Sequence, residues 1–165
     1  MVLCSGFSER IVRRYFDSIS LCFCDWSSAE VIVCRGDRCF STAMAVFGNK
    51  RKITAILQTC GYVHEQSFSS LSCRIRANPI QELSKLPLIG PVTSYHLAKN
   101  LGFDVVKRDR HLSRLAAGLG FESPETLCAE IGYEVGEPAA VVDIVLWRYC
   151  TLSRFGARVS PADSR

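Results

Sequence analysis

Residues 86–115 read LPLIGPVTSYHLAKNLGFDVVKRDRHLSRL. Pro91 suits the first turn of a helix, where a missing N–H is lost to nothing, and Gly102 suits its end, so the pattern predicts a helix from Pro91 to about Leu101. Asp109 stands one residue ahead of a second apolar-periodic run and predicts its N-cap. Upstream, Pro79 opens another short helix, read over 79–85. Residues 86–90 then form a five-residue apolar turn between two helices, a helix-hairpin-helix at about 79–102. The first four N–H groups of the second helix have no partner within it and carry the positive end of its dipole. A hairpin that holds them at the surface offers a site to a phosphate oxygen, with Pro91 fixing the entry angle and Thr93 adding a hydroxyl. The alternative is a plain helical hairpin packed into a core.

Helical periodicity extends outward in both directions. SERIVRRYFDSISL predicts an amphipathic helix capped by Ser8, with Ile11, Val12, Tyr15, Phe16 and Ile19 on one face. SSAEVIVC fits a short helix or a strand, because Val31-Ile32-Val33 is β-branched; helix is the reading adopted. CFSTAMAVFG predicts a helix stopped by Gly48, and Asn49 caps the next, which carries Ile53, Ile56, Leu57, Cys60 and Val63 on one side. Ser123-Pro124 starts another, and Pro138 begins a long last helix to about Leu152. The expected fold is all-α, one helical domain over 1–155 followed by a flexible tail, 156–165.

Composition bounds the class. The chain has 165 residues, 48% hydrophobic and 22% charged, enough for one sizeable core, shared between two lobes at most. No apolar run approaches the roughly 20 residues of a membrane span, so no membrane partner is expected. The N-terminal MVLCSGFSERIVRR places its charge after a short apolar start, the reverse of a secretory signal, and predicts a cytoplasmic protein, at the nucleoid if the cell is prokaryotic. Nine cysteines, an odd number, then read as reduced thiols. Cys22, Cys24, Cys34 and Cys39 show C-x-C and C-x4-C spacing, which fits no common zinc pattern; no metal and no cofactor is expected.

Charge is concentrated. Lys85, Lys99, Lys107, Arg108, Arg110 and Arg114 face only Asp104 and Asp109 between residues 85 and 115, so this segment supplies the whole formal charge of +4. Residues 116–147 contain Glu122, Glu125, Glu130, Glu134, Glu137 and Asp143 and no Lys or Arg. A basic segment bounded by an acidic one fits a protein that meets a polyanion in one orientation.

ELSKLPLIGPVTSYHLAKNLG followed by VVKRDRHLSRLA resembles the helix-hairpin-helix (HhH-GPD) DNA glycosylase superfamily, of which endonuclease III is the best-known branch. Its hairpin has the form L-P-G-[IV]-G, and some 20 residues later comes an aspartate in a D-x-H-x-x-R setting, here Asp109, His111 and Arg114. GNKRKITAILQTC is similar to the basic helix that precedes the hairpin. The likeness covers residues 48–118 and extends to the last helix. It implies a two-lobed helical fold and an enzyme of base excision, serving DNA repair or defence against modified foreign DNA. Such an enzyme flips a damaged or modified base out of double-stranded DNA and hydrolyses its N-glycosidic bond.

Asp109 is the implied catalytic residue, and the chemistry agrees: breaking an N-glycosidic bond builds positive charge on the sugar, which a fixed carboxylate stabilises. Capping and catalysis are compatible in one residue. The DNA-binding residues are then Lys85, Leu88, Gly90, Val92, Thr93, Lys107, Arg108, Arg110 and His111. Trp26, Tyr95, Asp143 and Trp147 are candidate walls of a base pocket, Asp143 alternatively an ion-pair partner of a nearby arginine. Three departures refine the likeness. Val92 stands where bifunctional members carry their lysine nucleophile, which implies a monofunctional enzyme without lyase activity. Leu88 replaces the first hairpin glycine, so its turn must avoid the left-handed conformation or accept strain. Cys150 is the one cysteine after Trp147, too few for the iron-sulfur cluster of endonuclease III. A monomer is expected. The competing readings are a non-catalytic helix-hairpin-helix DNA-binding module and a helical protein-interaction domain.

Overall fold

A computed structural model describes residues 2–4, 6 and 9–152; the expected Ser8 cap and the tail at 156–165 lie outside them. Among the described residues the secondary structure is helical throughout, with no strand. Contacts gather the chain into two compact units, Met1–Gly90 and Pro91–Arg165, each with an apolar cluster of its own.

The first unit contains α1 (Glu9–Cys22), a 3-10 turn (Cys24–Trp26), α2 (Ala29–Cys34), α3 (Gly36–Phe47), α4 (Lys50–Gln66), α5 (Phe68–Ala77) and α6 (Pro79–Leu83). Its core is built on Ile19, Phe23, Ile32, Cys39, Ala43 and Ile53. Val12 and Ile19 of α1's expected face are buried, as period 3.6 requires. The Asn49 side chain accepts from the Lys52 amide, the expected cap of α4. The β-branched run at 31–33 is helix, because Ser28 caps the Val31 amide at 3.1 Å and Ile32 fills the core.

Residues 68–77, for which the sequence suggested no element, form α5. Arg74 on this helix donates to Gln66 Oε1 at 3.0 Å, Ser70 Oγ at 2.9 Å and Glu82 Oε2 at 3.2 Å. One guanidinium thus ties the end of α4 and the start of α6 to α5, a contact set that no local propensity encodes. Glu82, almost fully buried, also receives Lys85. Its carboxyl is held below the usual range first by the Lys85 hydrogen bond, with Arg74 assisting against the opposing effect of burial.

The second unit contains α7 (Pro91–Asn100), α8 (Arg110–Gly118), α9 (Pro124–Val135) and α10 (Ala139–Leu152). Val106, Cys128 and Val142 form its cluster, with Ile131, Ala139 and Leu146 packed against them. Burial pushes the Cys128 thiol up to about 11. Ser123 and Thr126 make a reciprocal capping box at the start of α9. At its end, a Cβ on Gly132 would stand 2.5 Å from the Glu137 carbonyl oxygen. Glycine is therefore what lets the chain return tightly into α10.

Candidate functional site around Asp109

Two local structures carry the residues singled out from the sequence, one in each unit.

In the first unit, the chain leaves α6 through a turn closed by Ile89 N–H donating to the Leu86 carbonyl at 3.0 Å. Proline at its second position and a positive φ of 60° at Leu88 give the pattern of a type II turn, whose third position ordinarily holds glycine. Of the two outcomes left open for Leu88, the chain takes strain: the left-handed conformation is kept and a leucine occupies it, at about 1–2 kcal/mol. A cavity beside the turn is lined by Pro87 and Leu88 together with Lys50, Arg51 and Thr54 of α4. Gly90 does not have a positive φ, and a Cβ there would meet nothing within 4 Å. Lys85 is committed to Glu82. Trp26 lies in the 3-10 turn, stacked on Phe23 with ring centroids 5.0 Å apart.

In the second unit, Asp109 caps α8. Its Oδ1 accepts from the amides of His111 at 2.9 Å and Leu112 at 3.0 Å, while Oδ2 lies 3.7 Å from Lys107 Nζ. The side chain is 12% exposed. One oxygen is thus held rigidly by the backbone and the other faces a more distant cation. A carboxylate so placed can stabilise positive charge or take a proton from water. Asp109 also acts on its surroundings: after burial, its charge is the next cause of the raised Cys150 thiol.

The segment leading to Asp109 is non-helical over residues 103–109, and α10 holds it. Asp104 Oδ1 accepts from the Ala140 amide at 2.7 Å, and Asp143 Oδ2 accepts from the Lys107 amide at 2.7 Å. The same Asp143 oxygen takes Lys99 Nζ at 2.5 Å. Asp143 is 1% exposed and the Lys99 side chain 8%. The partner is a lysine rather than the arginine expected, and Lys99, counted in the basic segment that fits a polyanion, is instead buried and paired.

A cavity of about 290 Å³ adjoins this pair, lined by His96, Asn100, Lys107, Asp143, Ile144 and Trp147. Asp143 and Trp147 thus share one cavity, as expected of pocket walls, but Tyr95 and Trp26 are not among its lining residues. His96 is held below the ordinary histidine range, first by desolvation and then by the positive charges of Lys107 and Lys99. His96, Asn100 and Ile144 were not singled out from the sequence. The signal was there: His96, Lys99 and Asn100 share one face of α7, as Asp143, Ile144 and Trp147 share one of α10.

The remaining candidates flank this region in sequence. Arg108 pairs with Glu125, which raises the guanidinium and lowers the carboxyl. Arg110 is exposed and its Nε donates to His111 Nε2 at 3.5 Å. His111 Nδ1 is buried without a hydrogen-bond partner. Thr93 is half-buried on the first turn of α7, and Val92 beside it is 51% exposed. Among the described residues no group of three or more histidines, cysteines or carboxylates is placed to hold a metal ion, and no helix is long and apolar enough to cross a membrane.

Compared with family models, curated proteins and solved structures, the chain shows no match in any of the three.

Proposed function

We propose that the protein is a monofunctional DNA N-glycosylase of the helix-hairpin-helix kind, acting on a damaged or modified base in duplex DNA. The observation that carries this reading is the divided carboxylate of Asp109, fixed through Oδ1 and available through Oδ2. In the reaction the bond from C1′ to the base nitrogen breaks, its electron pair leaving with the base, which takes up a proton. A water oxygen bonds to C1′ and gives up its proton. Asp109 stabilises the cationic sugar between those events and orients the water. Val92, an exposed apolar side chain at the first turn of α7, offers no amine for a Schiff base, so the product is an intact strand with an abasic site. The left-handed Leu88 turn, the open space at Gly90 and the adjoining Lys50 and Arg51 suit a phosphate contact at the hairpin.

Asp109→Asn tests the reading. Asparagine retains the oxygen that caps His111 and Leu112 and removes the negative charge. On duplexes carrying uracil, alkylated or oxidised purines and modified cytosines, the parent should release base and leave alkali-labile sites without a borohydride-trapped complex. The variant should bind the same DNA and lose about 10²-fold or more in base release. Equal activity of the two proteins sinks the assignment. Salt-dependent DNA binding without base release by either would favour the second reading, a binding module that keeps the hairpin without the chemistry.

A further inference from the structure

The 3-10 turn in the first unit holds three consecutive non-glycine residues at positive φ: Cys24 at 54°, Asp25 at 51° and Trp26 at 57°. Each costs about 1–2 kcal/mol against the right-handed conformation, and such conformations persist where surrounding contacts over-determine them. Here those contacts are visible. Trp26 stacks on Phe23, Ser20 Oγ donates to Asp25 Oδ1 at 3.2 Å, and the Trp26 amide returns to the Phe23 carbonyl at 3.0 Å.

The strained turn brings a sulfur to a cavity of about 290 Å³ that the Asp109 region does not use. It is lined by Cys22, Cys24 and Cys39, by Arg35 and Arg38, and by Thr42. No carboxylate occurs among the described residues lining it. Arg35 Nη1 donates to Cys24 Sγ at 3.7 Å, an interaction that strengthens as the sulfur gains negative charge. Cys24 is half-buried and reachable, whereas Cys39 is 1% exposed. Cys24 and Cys39 line the same cavity, and burial, followed by the charge of Cys24, pushes the Cys39 thiol up.

From this arrangement we infer that Cys24 is a thiol modification site for anionic low-molecular-weight disulfides, with Cys39 as the resolving thiol. Arg35 and Arg38 receive the carboxylates of the reagent, a pairing guanidinium groups favour. In the first step the Cys24 thiolate attacks one sulfur of the reagent. The reagent's S–S bond breaks, a mixed disulfide forms on Cys24, and the released thiolate departs with the electron pair and takes up a proton. Cys39, once deprotonated, then attacks the Cys24 sulfur and expels the second reagent thiol. The two protein thiols lose two electrons and two protons, and one reagent disulfide becomes two thiols.

The test uses the whole protein, oxidised glutathione as the anionic reagent and 2-hydroxyethyl disulfide as the neutral one, with peptide mapping by mass spectrometry. Cys73, exposed on α5, is the internal reference. Relative to Cys73, Cys24 should favour the anionic reagent by about fivefold or more, and Arg35→Gln with Arg38→Gln should erase that preference. In the parent the end product should be a Cys24–Cys39 disulfide; in Cys39→Ala the glutathione adduct on Cys24 should accumulate. A preference of Cys24 for the anionic reagent no greater than that of Cys73, or an equal preference without the two arginines, overturns the inference. The first of these readings needs no variant and stands even if Cys39→Ala fails to fold.

Discussion

Replacing Leu88 by glycine and by alanine separates backbone strain from packing at the hairpin turn. Both substitutions remove the same half-buried side chain, so the loss of apolar contact largely cancels between them. What remains is the backbone. At a φ of 60° alanine keeps a penalty of about 1–2 kcal/mol, because its Cβ crowds the following carbonyl. Glycine has no such clash, but its freer unfolded chain costs about 0.5–1 kcal/mol. The glycine variant should therefore be the more stable of the two by roughly 0.7 kcal/mol, whereas at an ordinary φ alanine wins by a similar amount. In a chain of this size such a difference moves the midpoint of thermal unfolding by about 2 °C. Denaturant titration of the two variants beside the parent gives the same comparison free of scan-rate effects, provided their slopes agree. An alanine variant equal to or more stable than the glycine variant would show that the turn is not held in the left-handed conformation, and the type II assignment would fall with it.

Two further outcomes follow from the buried ion pairs. Asp143→Asn leaves the Lys99 ammonium buried opposite a neutral amide and should destabilise by about 3–5 kcal/mol, while adding Lys99→Met should recover much of that loss; chemical denaturation of the single and double variants checks it. Glu82 has a carboxyl below the usual range in the folded chain, so the stability it contributes is present above the unfolded carboxylate value and disappears as pH falls through the folded one. Glu82→Gln should accordingly be destabilising at pH 7 and converge with the parent in acid, and a constant gap between the two unfolding midpoints down to acid pH would contradict the Lys85 and Arg74 pairing.

Helices with both a capping side chain and a clear period were legible in the sequence: Asn49 before α4, Asp109 before α8, and Ser123-Pro124 before α9. The 68–77 helix was not, because serines and a phenylalanine are indifferent helix formers and the contacts of Arg74 with Gln66 and Glu82 belong to tertiary structure. Charge was legible only as composition. The positive segment 85–115 is real, yet Lys99 meets Asp143 across 44 residues and Arg108 meets Glu125 across 17, so the face it presents is less basic than the count implies. At Leu88 the sequence posed the alternatives, an avoided left-handed conformation or accepted strain, without deciding between them. The turn that follows Pro87 and closes through the Ile89 hydrogen bond takes the second.

The position of Asp109 depends on a residue 34 places further along the chain. Residues 103–109 have no helix to hold them, and a short extended segment of that kind is free to move unless something outside it fixes the backbone. Asp104 and Asp143 supply the two attachments to α10, and Asp143 holds its share with the same oxygen that neutralises Lys99. A neutral hydrogen-bond acceptor could receive the Lys107 amide equally well. Only a carboxylate can do so while also forming an ion pair with a lysine whose side chain is 8% exposed. Asp143 is therefore a positioning residue for the segment that ends in Asp109, and Lys99 is the reason that residue has to be an acid.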